Sequence, residues 1–152
     1  MAEHERLPAA GGEFVSACRI QRGDWAVLLE RPCRVSEFEG ERCGGGSVRI
    51  TGVDPFTGRT LSQQLGAEDA VLRPRLREVD YQLCELSEDN WMMLRLVGGT
   101  IHETESIDLG AVPDEKLRDD IETLDALDKR PVVTLLFYEL DDQCTAVRVR
   151  ER

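Results

Sequence analysis

The residues with the most distinctive chemistry lie in one short loop, where Arg42 and Cys43 precede a glycine triplet. From residue 37 to residue 49 the sequence reads E-F-E-G-E-R-C-G-G-G-S-V-R. An adjacent cation lowers the pKa of a thiol, so Cys43 is a candidate reactive thiol, although an incidental thiol is the simpler interpretation. The triplet Gly44, Gly45 and Gly46 lacks the Lys-Ser/Thr that follows in a phosphate-binding loop. We therefore interpret it as a flexible hairpin tip.

The remaining candidate catalytic or ligating side chains show no pattern typical of an active site. The chain has five cysteines, an odd number, and no two of them lie within four residues of each other. This spacing argues against a zinc ribbon or a disulfide framework and favours reduced thiols in an intracellular, cytoplasmic protein. His102 lies in an alternating stretch that we interpret as a strand. We expect no enzyme activity, no metal site and no cofactor.

Charge is divided unevenly along the 152 residues. Residues 1–77 hold 11 Arg and 11 Asp or Glu, whereas residues 78–152 hold 8 Arg or Lys and 19 Asp or Glu, so the net charge of −11 belongs to the second half. Such a half does not bind a nucleic-acid backbone through a broad electrostatic patch. The only lysines are Lys116 and Lys129. No segment approaches the roughly 18 apolar residues of a membrane span.

Short alternating or apolar runs separated by turns predict a mostly β chain with two small barrels. We expect a disordered tail over residues 1–13, a first barrel over 14–77 and a second over 78–152. In the second half, three strands, one helix over 113–128 and two strands follow the order of an OB-fold. Pro113 is expected at the first helical position. Trp25 and Trp91 lie in apolar strands and are expected in the cores.

Four stretches make the chain resemble the eukaryotic and archaeal translation initiation factor five-A family. They are G-D-W-A-V-L-L-E-R-P-C-R-V (23–35), G-V-D-P-F-T-G-R (52–59), V-D-Y-Q-L (79–83) and the acidic helix after Leu109. Together they cover roughly residues 14–150, nearly the whole chain. The resemblance implies an SH3-like N-terminal barrel followed by an OB-fold. It also implies a ribosomal or tRNA partner rather than a membrane or a small molecule.

The family's function, as the resemblance implies it, depends on one lysine in the loop between the first two motifs. That lysine receives an aminobutyl group from spermidine and becomes hypusine, which reaches the peptidyl-transferase region of the ribosome. Counting back from Gly52 places Arg42 at this position, and residues 1–115 contain no lysine. Arginine stays protonated and does not replace a reactive lysine amine. We therefore predict that the chain is not hypusinated.

Two functional hypotheses follow from this departure. In the first, the chain keeps a ribosome-associated role in translation, with Arg42 directed toward RNA phosphate, although Glu39 and Glu41 beside it would repel phosphate. In the second, the fold serves as a scaffold or a protein-interaction subunit. The Woronin-body core protein, a fungal relative of the family, has the same two-domain plan, lacks hypusine and self-assembles.

Overall fold

A computed structural model describes residues 11–41 and 45–152 of the chain. It divides into two compact units, with the boundary between Arg75 and Leu76. Both units are built mainly from antiparallel strands. Within the described residues, no helix has both the length and the apolar character needed to cross a bilayer.

The first unit is an SH3-like arrangement of six strands. Its sheet of four strands has the order β2-β3-β4-β5, and β1 and β6 form a separate pair. The bounds are β1 Gly12–Ser16, β2 Trp25–Leu28, β3 Arg31–Gly40, β4 Ser47–Val53, β5 Thr60–Gly66 and β6 Ala70–Pro74. Strand β1 thus begins inside the segment expected to be a tail, while residues 1–10 lie outside the described part.

Alternation of polar and apolar residues produces the core of this first unit. In β4, Val48 and Ile50 are buried while Ser47 and Arg49 face solvent. Because side chains of a strand point alternately to its two faces, this pattern turns one face of the sheet inward. The inward residues form one cluster: Ala17, Ile20, Ala26, Leu28, Cys33, Val35, Val48, Ile50, Ala67 and Val71.

The second unit has the strand and helix order of an OB-fold. Its bounds are β7 Arg77–Leu86, β8 Trp91–Leu96, β9 Thr104–Asp108, helix α1 Glu115–Ala126, β10 Val132–Tyr138 and β11 Gln143–Arg150. The five strands form one sheet in the order β11-β10-β7-β8-β9. The helix connects the third and fourth strands of the unit, as in an OB-fold. The expected fold class, two small β units with one α-helix, is confirmed.

Helix α1 begins two residues later than the sequence suggested, at Glu115 instead of Pro113. Asp114 is its N-cap, with extended backbone angles, and its side chain accepts a hydrogen bond from the backbone N–H of Leu117 at 3.2 Å. Pro113 therefore precedes the cap instead of occupying the first helical position. A carboxylate at this place satisfies an otherwise unpaired N–H group and interacts favourably with the helix dipole. Leu117 and Ile121 bury the apolar face.

Two expectations about single side chains in the second unit are wrong. His102 lies in the turn before β9, not in a strand, and its side chain is exposed. Trp91 is 45% exposed on β8, whereas its neighbour Met92 is fully buried. The strand was predicted correctly, but its pleat directs Met92 and Leu94 inward and Trp91 outward.

Candidate functional site

The loop singled out by the sequence connects the two strands of the β3–β4 hairpin. In the stem, the register pairs Phe38 with Ile50, Glu39 with Arg49 and Gly40 with Val48. The connecting segment therefore runs over residues 41–46. Three of the predicted site residues, Arg42, Cys43 and Gly44, lie outside the described residues, and the other two, Gly45 and Gly46, are exposed at the start of the return strand.

Close backbone approach requires glycine at the end of the stem. Gly40 has a φ of +123°, and a Cβ placed there would lie 2.8 Å from the carbonyl oxygen of Ser47. Real Cβ atoms do not approach a backbone oxygen so closely, and a side chain would also be strained at this φ. Gly40 thus fixes the point at which the two strands stop pairing and the loop begins.

The returning side of the loop is tied to the rest of the first unit. Gly45 has a φ of +74°, in the left-handed region that glycine adopts readily. The carbonyl oxygen of Gly46 accepts a hydrogen bond from the backbone N–H of Ala67 at 2.8 Å. Ala67 is buried, so the anchor lies at the edge of the core. Both ends of the segment therefore have defined positions.

A bulge in β3 lies farther down the stem. The register shifts between Val35 and Glu37, which leaves Ser36 as the extra residue. Its hydroxyl donates to the carbonyl oxygen of Thr51 at 3.3 Å, and its own carbonyl oxygen accepts from Arg22 Nε at 3.0 Å. Bulges bend a strand and redirect its end. This bulge therefore helps to set the direction in which the hairpin projects.

The charges on the stem are balanced in part. Glu39 and Arg49 are directly opposite each other and therefore share one face of the hairpin. The repulsion that Glu39 would exert on a phosphate is reduced by this neighbouring cation. Glu37 lies opposite the neutral Thr51, and Glu41 is exposed at the start of the loop. The stem presents a mixed surface, neither strongly acidic nor basic.

An ion pair joins the two sequence motifs at the base of the hairpin. Arg31, the arginine of R-P-C, donates from Nε to Asp54 Oδ2 at 2.7 Å, and Asp54 is the aspartate of D-P-F-T-G. Asp54 is only 1% exposed, and its Oδ1 also accepts from the backbone N–H of Phe56 at 2.9 Å. Burial alone would raise the pKa of Asp54, but hydrogen bonds from Arg31, Phe56 and Thr57 outweigh it and lower the pKa.

The cysteine of R-P-C has a structural role. Cys33 is fully buried in the first core, and burial, reinforced by the charge of Asp54, raises the pKa of its thiol to about 11. Gly52, on the facing strand, has no room for a side chain. A Cβ there would lie 2.8 Å from the carbonyl oxygen of Arg34 and 3.0 Å from Cys33 Cβ. The shared glycine of the second motif thus allows β4 to pack against Cys33.

Sequence comparison finds relatives along most of the chain. It is 27% identical over 121 residues to "Eukaryotic translation initiation factor 5A" of Spodoptera exigua, covering 75% of this chain and 73% of that protein. It is 25% identical over 154 residues to "Eukaryotic translation initiation factor 5A-2" of Medicago sativa, covering 96% and 94%. No protein-family model matches the chain.

Solved structures of similar proteins have the same fold. A translation initiation factor eif-5a family protein from Naegleria fowleri superposes with a TM-score of 0.71 at 20% identity, over 91% of this chain and 97% of that one. The factor 5A of Methanococcus jannaschii superposes with a TM-score of 0.67 at 15% identity, over 91% and 94%. At such identities the superposition demonstrates a common fold across both units.

Proposed function

We propose that this chain, a distant member of the translation initiation factor 5A family, is a cytoplasmic, ribosome-associated translation factor that works without hypusine. The family consists of translation factors, not enzymes, and the four motifs that carry the resemblance occur here in the family's order. The proposal departs from the family in one respect only, which is the chemistry at the end of the β3–β4 hairpin.

The observation that carries this proposal is the distribution of lysine. Lys116 and Lys129 are the only lysines, and both belong to the second unit. Lys116 lies in α1 and pairs with Asp120 at 3.0 Å. The first unit, where the resemblance implies a modified lysine, offers no amine for the aminobutyl group. Arg42 takes that position by sequence count, with a cation that is always protonated and able to contact a phosphate through two N–H groups.

The arrangement around the hairpin supports a retained function for its end. Arg31 and Asp54 join the strands below it, Gly40 ends the stem and Gly46 is anchored to Ala67. These contacts hold the described parts of the hairpin on both sides of the loop, which lowers the entropic cost of placing it against a partner. Glu39 is placed beside Arg49, which reduces the local repulsion of RNA.

Mass spectrometry of the intact native protein tests the missing modification. We expect the mass of the unmodified chain, with no group added to Lys116 or Lys129. The recombinant chain produced without the modifying enzymes serves as the control and should have the same mass. A hypusine-sized addition on any peptide of the native protein would contradict the proposal.

Ribosome co-sedimentation tests the proposed role. We expect the chain to sediment with ribosomes, and Arg42→Ala to weaken this binding roughly tenfold if Arg42 contacts phosphate. Arg49→Ala, a change of the same type on the stem, is the matched control and should have a smaller effect. A chain that fails to sediment with ribosomes and instead forms salt-dependent assemblies would support the alternative hypothesis of a scaffold or protein-interaction subunit.

A further inference from the structure

One part of the outer face of the five-stranded sheet exposes two large apolar side chains. Trp91 and Met93 lie two residues apart on β8 and are 45% and 41% exposed, while Met92 and Leu94 between and beyond them are buried. The hydroxyl of Ser106, directly opposite on β9, donates to Met93 Sδ at 3.2 Å. Trp91 and Met93 together are called the Trp91 patch below. Because β8 lies between β7 and the edge strand β9, and Trp91 is its first residue, the patch lies toward one corner of the sheet face.

Carboxylates border the Trp91 patch on several sides. Glu85 on β7 is directly opposite Met93, and Asp108 on β9 is directly opposite Trp91. The turn from Ser87 that leads into Trp91 adds the exposed Glu88 and Asp89. Among the described residues, no ion pair to a lysine or an arginine involves these four acids. The patch is therefore an apolar centre with an uncompensated negative border.

The neighbouring part of the same outer face is compensated. On β7, Asp80 accepts from Arg150 at 2.9 Å and from the hydroxyl of Thr134 at 2.6 Å. Asp80 belongs to a row of cross-strand pairs, called the arginine ladder below, which spans β10: Arg148–Glu78, Arg150–Asp80 and Arg152–Gln82. The ladder covers β10 and leaves Thr134 only 6% exposed. The arginines of this face thus lie toward Gln82 and the ladder, including Arg95, which is two residues beyond Met93 on β8. The four acids instead border the Trp91 end of that strand.

We propose that the Trp91 patch binds a basic, apolar segment of another protein, with its arginine or lysine side chains directed at the acidic border. Trp91 offers an aromatic face to a cation, and Met93 offers a polarizable surface that adapts to different apolar side chains. Aromatic and methionine residues are the types enriched in protein interfaces. The binding would be additional to any contact made by the β3–β4 hairpin.

Charge decides between a protein and a nucleic acid as the occupant. An exposed tryptophan on an OB-fold strand can stack on a base, but known single-strand sites combine such aromatics with a basic groove. Here Glu85, Asp108, Glu88 and Asp89 would repel the phosphates, in a unit that carries nearly all of the chain's net charge of −11. The same carboxylates attract a basic segment and accelerate its association.

Nuclear magnetic resonance of the full chain tests this proposal. Trp25 and Trp91 are the only tryptophans, so the indole N–H signal of Trp25 reports on the first unit and that of Trp91 on the second. The probe is a short synthetic peptide of alternating arginine and leucine. We expect it to shift the Trp91 signal in a saturable manner and to leave the Trp25 signal in place. A peptide of alternating glutamate and leucine should shift neither signal.

Two matched charge reversals separate local binding from general attraction. Glu85→Lys should weaken binding of the basic peptide about fivefold or more, because it removes one attraction and adds one repulsion. Glu122→Lys changes the net charge equally on the exposed side of α1 and should leave the affinity nearly unchanged. An unmoved Trp91 signal, equal losses in both variants, or tighter binding of single-stranded oligouridine than of the peptide would each overturn the proposal.

Discussion

The two units use charged residues in opposite ways. The first unit is nearly balanced in net charge, and its described residues include the buried pair Arg31–Asp54, in which the carboxylate is 1% exposed. The second unit carries an excess of acid and sets its arginines in an exposed ladder, where Arg150 and Asp80 are 59% and 40% exposed. A buried charge that loses its partner is costly, whereas an exposed one is stabilised again by water.

This difference implies different roles for similar residues. In the first unit, a single pair holds together two segments that are 23 residues apart in sequence. In the second unit, several pairs together cover β10, and we therefore expect that the loss of any one pair has a small effect on stability. The predictions below test this contrast, beginning with the change expected to have the largest effect.

Asp54→Asn should destabilise the first unit by about 2–3 kcal/mol, because it leaves Arg31 without its buried carboxylate. Urea unfolding, followed by labelling of Cys33, measures this change within the unit. Cys144 reports the second unit separately: it is partly buried, and this burial, with the charge of Glu105, raises the pKa of its thiol to about 12, so unfolding should increase its labelling rate. Glu13→Gln, in the exposed pair with Arg73, is the control and should cost roughly 0.5 kcal/mol or less. Equal effects of the two changes would contradict the contrast.

Low pH should remove the stabilisation that the Arg31–Asp54 pair gives to the wild-type protein. The pKa of Asp54 is lower in the folded state, so its stabilisation is present above the unfolded pKa of about 3.9 and is lost as the pH falls through the folded value. The unfolding free energy of the first unit should therefore decrease below about pH 4 in the wild type. Asp54→Asn should flatten this dependence. A variant that follows the wild-type curve in parallel would show that another group is responsible.

Asp80→Asn should cost the second unit roughly 1 kcal/mol, less than the change at Asp54, since the ladder is exposed and shared. Its hydrogen bond from Thr134 is the main cause that lowers the pKa of Asp80, with the bond from Arg150 adding to it against partial burial. The matched control is Asp120→Asn, which removes the exposed helical pair with Lys116 and should have a smaller effect. Labelling of Cys144 during urea unfolding provides the measurement. A loss as large as that at Asp54 would remove the distinction between the units.

Trp91→Ser should cost less stability than a change on the buried side of the same strand, because nearly half of the side chain is already in water and its removal leaves no enclosed cavity. Met92→Ala, on the buried side of the same strand, should cost about 3 kcal/mol and provides the comparison. Thermal and urea unfolding measure both variants. A large loss at Trp91 would mean that the patch supports folding and would weaken its interpretation as a binding surface.

Local sequence patterns predicted the strands better than the faces of those strands. The sequence predicts strands over residues 47–53 and 91–96, and these ranges are the bounds of β4 and β8, because turn residues flank both runs. The same pattern does not say which side of β8 faces the core. For that reason Trp91 was wrongly assigned to the core, since an aromatic residue favours strands in either orientation.

Contacts between distant residues were beyond what the sequence alone predicted. Arg31 and Asp54 belong to two recognisable motifs, but their contact depends on the pairing of β3 with β4 and on the turn that follows. One part of the arginine ladder is visible in the sequence: acids occupy alternate positions at the start of β7, and arginines occupy alternate positions at the end of β11. Only the order β11-β10-β7 brings these two sets opposite each other. The predicted role of Arg42 stays a prediction, because that residue lies outside the described part.

The tight contact at Gly40 has a consequence for protein engineering. Strand pairing ends there for steric reasons, and it resumes at Ser47 next to the anchor between Gly46 and Ala67. The described strand pairing and the Gly46–Ala67 hydrogen bond that hold this part of the barrel thus lie on either side of residues 41–45. We therefore expect the segment to accept grafted loops of other lengths and compositions, including a lysine-bearing one, provided that Gly40 and the hydrogen bond to Ala67 are kept.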